Sequence, residues 1–213
     1  PQAAHPTIHQ PLKLSFEQKT LYKADLSFMG AAYHNRIQSF PRLLDLDFKI
    51  WGTGWDLNSP LGKRVQNHNE RVTTDETVKI YNAAKINLNL HSSLYHYGIN
   101  PDGDFVNPRT FEIASCKGFQ LVDRRSDLSN LFNVDEELVV FNSFEELKDQ
   151  FNFYISNPKL RSEIANRSYQ RVLAEHTIEH RMQELLIHVF INRLDSLQKK
   201  QMNTDYNEQG RVQ

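Results

Sequence analysis

The chain has 213 residues, enough for one well-filled domain or at most two small ones. Its 26 acidic and 25 basic residues nearly cancel, so no global field attracts nucleic acid or an anionic membrane, and any anion site must be local. The lone cysteine, Cys116, excludes an intramolecular disulfide and a thiolate zinc cluster, and it favours a reducing, cytoplasmic location.

The two termini and the apolar runs indicate how the chain is organised. No run approaches the roughly 20 apolar residues that span a bilayer, so we expect no integral membrane contact. The opening Pro1-Gln-Ala-Ala-His-Pro6 lacks a secretory signal and an initiating methionine, which favours an excised domain over a naturally short or cleaved protein. We interpret residues 1–23 as a hinge or linker segment, 24–197 as one domain, and 198–213 as a flexible polar tail without apolar periodicity.

Five short apolar runs bounded by turn signals predict strands that are covered on both faces. They are Ala24–Met29, Phe48–Trp51, Ile86–Leu90, Phe119–Val122 and Leu138–Phe141. Helical patterns lie between them, at Arg36–Leu46, Asp75–Lys85 and Pro108–Lys117. This alternation predicts an α/β fold with a Rossmann-like, doubly wound parallel sheet.

After the last predicted strand the pattern is wholly helical and predicts three helices that close the domain. Their apolar stripes contain Phe144, Leu147, Phe151 and Ile155, then Leu160, Ile164 and Val172, then Ile178, Met182, Leu185 and Val189. Ser143 followed by Glu146 predicts a capping box, and Asn157-Pro158 ends one helix and starts the next.

The most informative segment follows the third predicted strand and reads as a polar loop, a capped helix and a buried strand. Asn107 can cap the helix, Pro108 fits its first turn, and Gly118 is expected to end it. The amides of Arg109 and Thr110 are then expected to face outward. Such a helix start attracts anions, and the planar fork of Arg109 suits phosphate oxygens.

Further candidates lie where ligands bind in open α/β sheets, at the carboxyl ends of the strands. Glu112, one turn into the helix, can accept hydrogen bonds from two vicinal hydroxyls such as those of a ribose. Gly30 lets backbone approach a phosphate while Arg36 neutralises charge, although a tight turn with a solvent-exposed arginine also fits. His91 is either a contact to sugar or phosphate or a satisfied loop histidine.

Two other glycine and acidic patterns carry less weight. Gly52-Thr-Gly54-Trp55 lacks the third glycine of a dinucleotide fingerprint, so we interpret it as a turn with Trp55 packed. Asp102 and Asp104 offer too few ligands at too irregular a spacing for a cation loop. We therefore expect no metal site.

The residues of the capped helix carry a resemblance to a known family. Phe111-Glu-Ile-Ala-Ser-Cys-Lys-Gly118 resembles the helix of GT-B glycosyltransferases that carries the ribose-binding glutamate. Asn107-Pro-Arg-Thr-Phe-Glu112, the strand Ile86–His91 and His176–Arg181 are similar to the glycosyltransferase domain of the spore-maturation CgeB-like proteins. Asp104 precedes Glu112 by eight positions, a spacing similar to the paired-acid motif of many retaining members.

The resemblance implies one half of a GT-B fold and a hexosyl or related transferase that uses a nucleoside-diphosphate sugar as donor, without a metal or other cofactor. It implies that Arg109 and Arg36 stabilise the leaving diphosphate. Donor contacts are implied for Gly30, His91, Asp104, Asn107, Pro108, Arg109, Thr110 and Glu112. The acceptor-binding N-terminal domain is then missing from the chain, and retention or inversion stays open.

Two other classes of function compete with this interpretation. A binding or scaffolding domain could keep the Rossmann-like fold and have lost turnover. A flavodoxin-like regulatory domain needs an acidic cluster at the early strand ends, where Met29-Gly30 and Trp51-Gly52 offer none.

Overall fold

The structure, a computed structural model, describes residues 2–100, 102–191 and 193. Five parallel strands form a sheet in the order β2-β1-β3-β4-β5. The strands are β1 (Ala24–Met29), β2 (Phe48–Trp51), β3 (Ala84–Asn89), β4 (Gln120–Asp123) and β5 (Val139–Phe141). The predicted doubly wound parallel sheet is confirmed, and its direction of winding reverses between β1 and β3, where ligands bind in such sheets.

The described part of residues 1–177 contains seven α-helices: α1 (Phe16–Tyr22), α2 (His34–Ser39), α3 (Thr74–Ala83), α4 (Pro108–Ser115), α5 (Leu128–Leu131), α6 (Phe144–Ile155) and α7 (Pro158–Glu175). The predicted helix over residues 36–46 is shorter than expected, because the chain tightens into a 3₁₀ turn at Phe40–Leu43 that contains Pro41. The boundary at Asn157-Pro158 is confirmed.

Helix starts follow the local cap chemistry. Ser15 and Thr73 both form complete capping boxes at α1 and α3. Ser143 caps α6 by accepting the backbone N–H of Glu146 at 3.0 Å. The Glu146 carboxylate instead accepts the N–H of Asn142 at 2.7 Å, so the predicted capping box is only half formed.

Helices cover both faces of the sheet, which explains why its strands are apolar on both sides. On one face Phe28 packs edge to face against Phe40, with 4.8 Å between ring centroids. On the other face Phe111 of α4 packs with Phe132 and with Val172 of α7. Each fully buried phenylalanine contributes about 2 kcal/mol of hydrophobic stabilisation. This core packing therefore holds α4 on that face of the sheet.

The chain divides into two compact units, residues 1–177 and 178–213. Within the first unit, Ala4 forms a bridge with Thr177, so part of the predicted linker segment is built into the fold. Helices α6 and α7 contribute Leu147, Phe151 and Ile164 to the core. In the second unit, residues 178–191 are helical, as predicted.

The predicted tail, 198–213, lies outside the described residues, and the division into segments 1–23, 24–197 and 198–213 stays a prediction. Among the described residues, no helix combines the length and the apolar character that crossing a membrane requires.

Candidate functional site

The start of α4 lies at the carboxyl edge of the sheet and is built as the sequence predicted. Asn107 Oδ1 accepts the backbone N–H of Thr110 at 3.1 Å, and Pro108 occupies the first turn. This cap uses the Thr110 amide, and Thr110 is fully buried. The expectation that the Thr110 amide is free and faces outward is therefore wrong, whereas Arg109 stays half-buried at the helix start.

The end of α4 differs from the sequence-based expectation. Lys117, with φ 57°, takes the left-handed position, and the Gly118 N–H bonds the Ile113 carbonyl at 2.9 Å. A Cβ on Gly118 would lie 3.0 Å from Asn87 Nδ2 and 3.1 Å from the Tyr81 carbonyl oxygen. The glycine serves close packing against the sheet, and the helix itself ends at Ser115.

A buried polar network holds the first turn of α4 to the sheet. Asn89 of β3 accepts from Asn107 Nδ2 at 2.9 Å and donates to Thr110 Oγ1 at 2.9 Å. Gln120 of β4 accepts from the same Asn89 amide and donates to the Thr110 carbonyl at 2.9 Å. Arg109 Nη1 lies 3.4 Å from Asn89 Oδ1. The polar residues of β3 and β4 thus set the direction of the helix start.

His91 extends this network beneath the loop that precedes α4. Its Nε2 accepts the backbone N–H of Asn107 at 3.0 Å, and its Nδ1 lies 2.6 Å from Asp123 Oδ1. Because Nε2 accepts, the ring proton lies on Nδ1 and is donated to Asp123. Both ring nitrogens thus have protein partners and the ring is buried, so His91 positions Asn107 from within the protein and fits the alternative of a satisfied loop histidine.

Burial and the surrounding charges together set the protonation state of His91. Burial lowers the pKa of His91 and outweighs the attraction of Asp123, so the ring is neutral at pH 7. Burial alone would raise the pKa of Asp123, but His91, its hydrogen bonds and Arg125 hold that pKa below its ordinary value. Arg125 Nη2 donates to Asp123 Oδ2 at 3.0 Å. The carboxylate is therefore ionised and fully paired.

Two guanidinium groups meet at the same edge. Arg36 is only 3 % exposed, so the alternative of a solvent-exposed arginine is wrong. Its terminal nitrogens donate to the carbonyls of Ala31 at 2.9 Å and Leu90 at 2.8 Å. Within the part of the chain that the structure describes, the Nε atoms of Arg36 and Arg109 are buried without a hydrogen-bond partner.

Gly30 lies directly against both guanidinium groups. A Cβ there would lie 2.8 Å from Arg109 Nη2 and 3.3 Å from Arg36 Nη1. Both groups also lie over the ring of Phe28, at 5.2 and 4.9 Å from its centroid. Burial and the neighbouring Arg109 lower the pKa of Arg36 to about 9, which leaves it charged at pH 7. No carboxylate among the described residues contacts either guanidinium group directly, so the two like charges favour an anion at this point.

A cavity of about 300 Å³ opens beside Gly30. Gly30 and Gly52 line it from the ends of β1 and β2, Thr74 and Thr77 line it from α3, and Glu112 lines it from α4. This volume is at the lower end of the roughly 300–1,000 Å³ found for small-molecule sites. Glu112 thus lines a cavity whose wall at Gly30 lies against the two guanidinium groups.

Glu112 is held between two side chains. The Tyr81 hydroxyl donates to Glu112 Oε2 at 3.5 Å, and His9 Nε2 lies 3.9 Å from Oε1. Burial, followed by the Glu112 charge, raises the pKa of Tyr81, so its hydroxyl stays a donor. The side chain of Glu112 keeps 23 % of its surface exposed, which leaves it accessible from the cavity.

Asp104 is not placed with Glu112. It lines a separate cavity of about 510 Å³ together with Gln2, Phe105, Asp127 and Asn130. That cavity is larger, but its described lining contains two carboxylates and no cationic side chain, which disfavours an anion there. We therefore take the smaller cavity at Glu112 as the candidate site.

A family model described as glycosyl transferase-like matches residues 34–187, more than half of the chain. The chain belongs to this glycosyl transferase-like family. Spore protein CgeB of Bacillus subtilis (strain 168) is 28% identical to it over 169 residues, which are 74% of this chain and 51% of that protein. The CgeB-like resemblance is confirmed, and the chain spans about half the length of this curated relative.

Solved structures support the same fold for this glycosyl transferase-like domain. The C-terminal domain of a glycosyl transferase group 1 family protein (LpcC) from Francisella tularensis has a TM-score of 0.60 at 16% identity, covering 82% of this chain and 99% of that one. Alr3699/HepE of Anabaena, in complex with UDP, has a TM-score of 0.65 at 10% identity, covering 88% and 55%. Sucrose-phosphate synthase of Thermosynechococcus elongatus has a TM-score of 0.65 at 13% identity, covering 90% of this chain and 52% of that one. The predicted half of a GT-B fold is confirmed.

Sequence reasoning missed several residues of this glycosyl transferase-like domain. Asn89 and Asp123 were detectable, because polar residues that interrupt or end buried strands need partners. Tyr81 gave only a helical apolar signal. His9 gave none, because it lies more than 100 positions from Glu112 in the chain. Among the described residues, no group of three His, Cys, Asp or Glu side chains is arranged to hold a metal ion.

Proposed function

We propose that this chain is the donor-binding domain of a CgeB-like glycosyltransferase and that it binds a nucleoside-diphosphate sugar. The observation that carries the proposal is the arrangement on α4. Glu112 borders the cavity, and Arg109, one turn earlier, reaches Gly30 in the wall of the same cavity. A carboxylate for a ribose diol and a cation for a diphosphate are thus spaced along one helix.

In this proposal the ribose hydroxyls bind Glu112 and the diphosphate lies at Gly30 and Arg109. The base then occupies the part of the cavity between Gly52 and Thr74. Alr3699/HepE, which shares the fold, has been solved with UDP and with UDP-glucose, which supports a nucleotide-sugar ligand for this cavity. The terminal nitrogens of Arg36 bind backbone carbonyls, so Arg36 contributes mainly charge from beneath Gly30.

Sugar transfer breaks the bond between the anomeric carbon and the diphosphate oxygen, and the diphosphate leaves with the bonding electrons. Arg109 and the positive end of the α4 dipole stabilise the charge that develops on this leaving group. We propose that these groups suffice without a divalent ion. Acceptor binding, and any base that an inverting reaction needs, are assigned to parts of the complete protein outside this chain, because the match covers only 51% of the CgeB relative and 55% of HepE.

The test is calorimetry and thermal unfolding of the chain with UDP, GDP, CDP and dTDP, in Mg²⁺ and in EDTA. We expect one diphosphate to raise the melting temperature, since a ligand at 100 times its Kd adds about 2.7 kcal/mol to stability. Glu112→Gln should weaken its binding about tenfold, because the charged acceptor is lost. Glu163→Gln, an exposed change on α7, is the matched control.

The substitution Arg109→Gln distinguishes binding of the diphosphate group from binding of the nucleoside. It should weaken binding of the diphosphate about tenfold or more and leave binding of the free nucleoside unchanged. An absolute need for Mg²⁺ would contradict the metal-independent part of the proposal. If no diphosphate stabilises the chain, the proposal fails and a binding or scaffolding domain without turnover becomes the better interpretation.

A further inference from the structure

The N-terminal segment over residues 5–12, here called the strap, lies along helices α3 and α4. The Ser115 hydroxyl donates to the His9 carbonyl at 2.5 Å, and the Leu12 N–H donates to Asn82 Oδ1 at 2.7 Å. Asn82 Nδ2 also donates to the Gln10 carbonyl at 3.1 Å. The strap is therefore fixed to the domain by hydrogen bonds at His9, Gln10 and Leu12, and it holds His9 in the wall of the candidate cavity.

The His9 ring is oriented toward Glu112. Its Nδ1 faces the backbone N–H of His5 at 3.5 Å, the outer limit of a hydrogen bond, so the ring proton is on Nε2. Burial lowers the pKa of His9 more than the Glu112 charge raises it, so the ring is neutral at pH 7. The Nε2–H group therefore points a donor at the region of the Glu112 carboxylate.

The distance between His9 Nε2 and Glu112 Oε1 is 3.9 Å, too long for a direct hydrogen bond. An oxygen about 2.8 Å from each atom fits this separation, with one hydroxyl donating to Glu112 and accepting from His9. The other carboxylate oxygen, Oε2, already receives the Tyr81 hydroxyl. The pair is arranged for a group that both donates and accepts, which describes a ribose hydroxyl.

We propose that His9 is a specificity-determining residue of the nucleoside site and selects ribonucleoside over deoxyribonucleoside diphosphates. This inference rests on the proposed donor site at Glu112. It assigns a ligand contact to a strap that the sequence describes only as a linker. It also predicts that dTDP, which lacks the 2′-hydroxyl, is the poorest of the common diphosphates.

The test compares Kd values for UDP, 2′-deoxy-UDP and 3′-deoxy-UDP by calorimetry, with GDP and its deoxy analogues as a second set. For wild type, removing the bridging hydroxyl should weaken binding about tenfold, because two hydrogen bonds are lost, one of them to a charged group. In His9→Phe, which keeps the ring volume, this deoxy-to-ribo ratio should fall by a factor of about three to five. His9→Gln, which keeps a donor, should restore much of the ratio.

His5→Phe, on the same strap but outside the cavity lining, is the matched control and should keep the wild-type ratio. If His9→Phe binds UDP and retains the wild-type ratio for 2′-deoxy-UDP, the inference is overturned, whatever the ratio for 3′-deoxy-UDP, and the donor site stands. An equal loss for ribo and deoxy ligands would assign His9 to packing and also overturn it. If wild type binds none of these diphosphates, the donor site and the inference fail together.

Discussion

At the scale of single side chains, His91 links the end of β4 to the start of α4, because one ring nitrogen donates a hydrogen bond and the other accepts one. Nδ1 donates to a buried carboxylate, and Nε2 accepts the N–H of the residue that caps α4. A protonated ring would present a donor to that N–H, so the neutral form is required by the geometry. The arrangement makes the position of Asn107 dependent on pH.

We predict that stability falls on mild acidification because of His91. Its folded-state pKa lies below the ordinary 6.5, so the folded protein binds fewer protons than the unfolded chain. The stabilising contribution is present above pH 6.5 and is lost as the pH falls through 6.5 toward the lowered pKa. The charged groups around the ring are Asp123, Arg125 and Arg109. Asp123 keeps its charge over this range, because its pKa is held low.

The measurement is urea unfolding between pH 7.5 and 5.5 for wild type, His91→Asn and His91→Gln. Each variant should be less stable at pH 7.5, since one buried partner loses its hydrogen bond, and each should show a flatter pH profile. The pKa of His9 is also lowered, so His9→Phe is included to measure the separate contribution of His9 to the pH dependence. Parallel profiles for wild type and both His91 variants would show that His91 does not carry the effect.

At the scale of elements, the loops after β1 and β2 interlock and shape the cavity floor. The Gly30 N–H donates to the Trp51 carbonyl at 2.8 Å, and the Ala32 N–H donates to the Thr53 carbonyl at 2.9 Å. Trp55 Nε1 donates to the Gly30 carbonyl at 3.1 Å. The prediction that Trp55 packs is confirmed, and the same turn also fixes Gly30 beside the two arginines.

We predict that Gly52→Ala is far more destabilising than Gly54→Ala. Both glycines have positive φ, 141° and 80°, so both substitutions carry backbone strain of about 1–3 kcal/mol. At Gly52 the new Cβ would clash with backbone, 2.2 Å from the Gly30 carbonyl oxygen, whereas at Gly54 its nearest neighbour would be Ala32 Cβ at 3.6 Å, an ordinary contact. Gly52→Ala should therefore cost at least about 2 kcal/mol more. Equal costs in urea unfolding would contradict the interlocked geometry.

The elements that the sequence predicted well are those set by local chemistry. Uniformly apolar strands and the Asn107-Pro108 helix start need no tertiary information, and β1 and β2 have the predicted bounds. The prediction that Gly118 ends α4 was wrong, because this glycine serves close packing against Asn87, which only the folded sheet brings near. The fold class therefore followed from pattern, while the reason for particular residues did not.

The candidate site was predictable along α4 and in the segment after β1, which supplies Gly30 and Arg36. Arg109 and Glu112 lie one turn apart in the chain, so their spacing on α4 was predictable from the sequence. The partners of these residues come from other elements: Asn89 from β3, Tyr81 from α3 and His9 from the strap. Such contacts depend on topology and register, and no periodicity encodes them.

At the scale of the whole molecule, residues 1–177 form a unit whose two ends meet. The Ala4 N–H donates to the His176 carbonyl at 3.0 Å, and the His176 ring contacts the Leu131 carbonyl at 2.7 Å. That ring also packs against Phe111 and Phe132, with centroids 5.4 and 5.3 Å apart. The last residue of the buried apolar clusters is Val172, so the described core is complete before residue 178.

We predict that a chain ending at Thr177 folds alone, with a melting temperature within a few degrees of the full chain and the same affinity for a nucleoside diphosphate. A chain ending at Glu175 loses the buried His176 ring and both end contacts, which should cost about 2 kcal/mol, or roughly 4–8 °C in melting temperature. Calorimetric melting of the three chains measures this. If the chain ending at Thr177 fails to fold while the full chain folds, residues beyond 177 belong to the folding unit, and its boundary must be moved toward the carboxyl terminus.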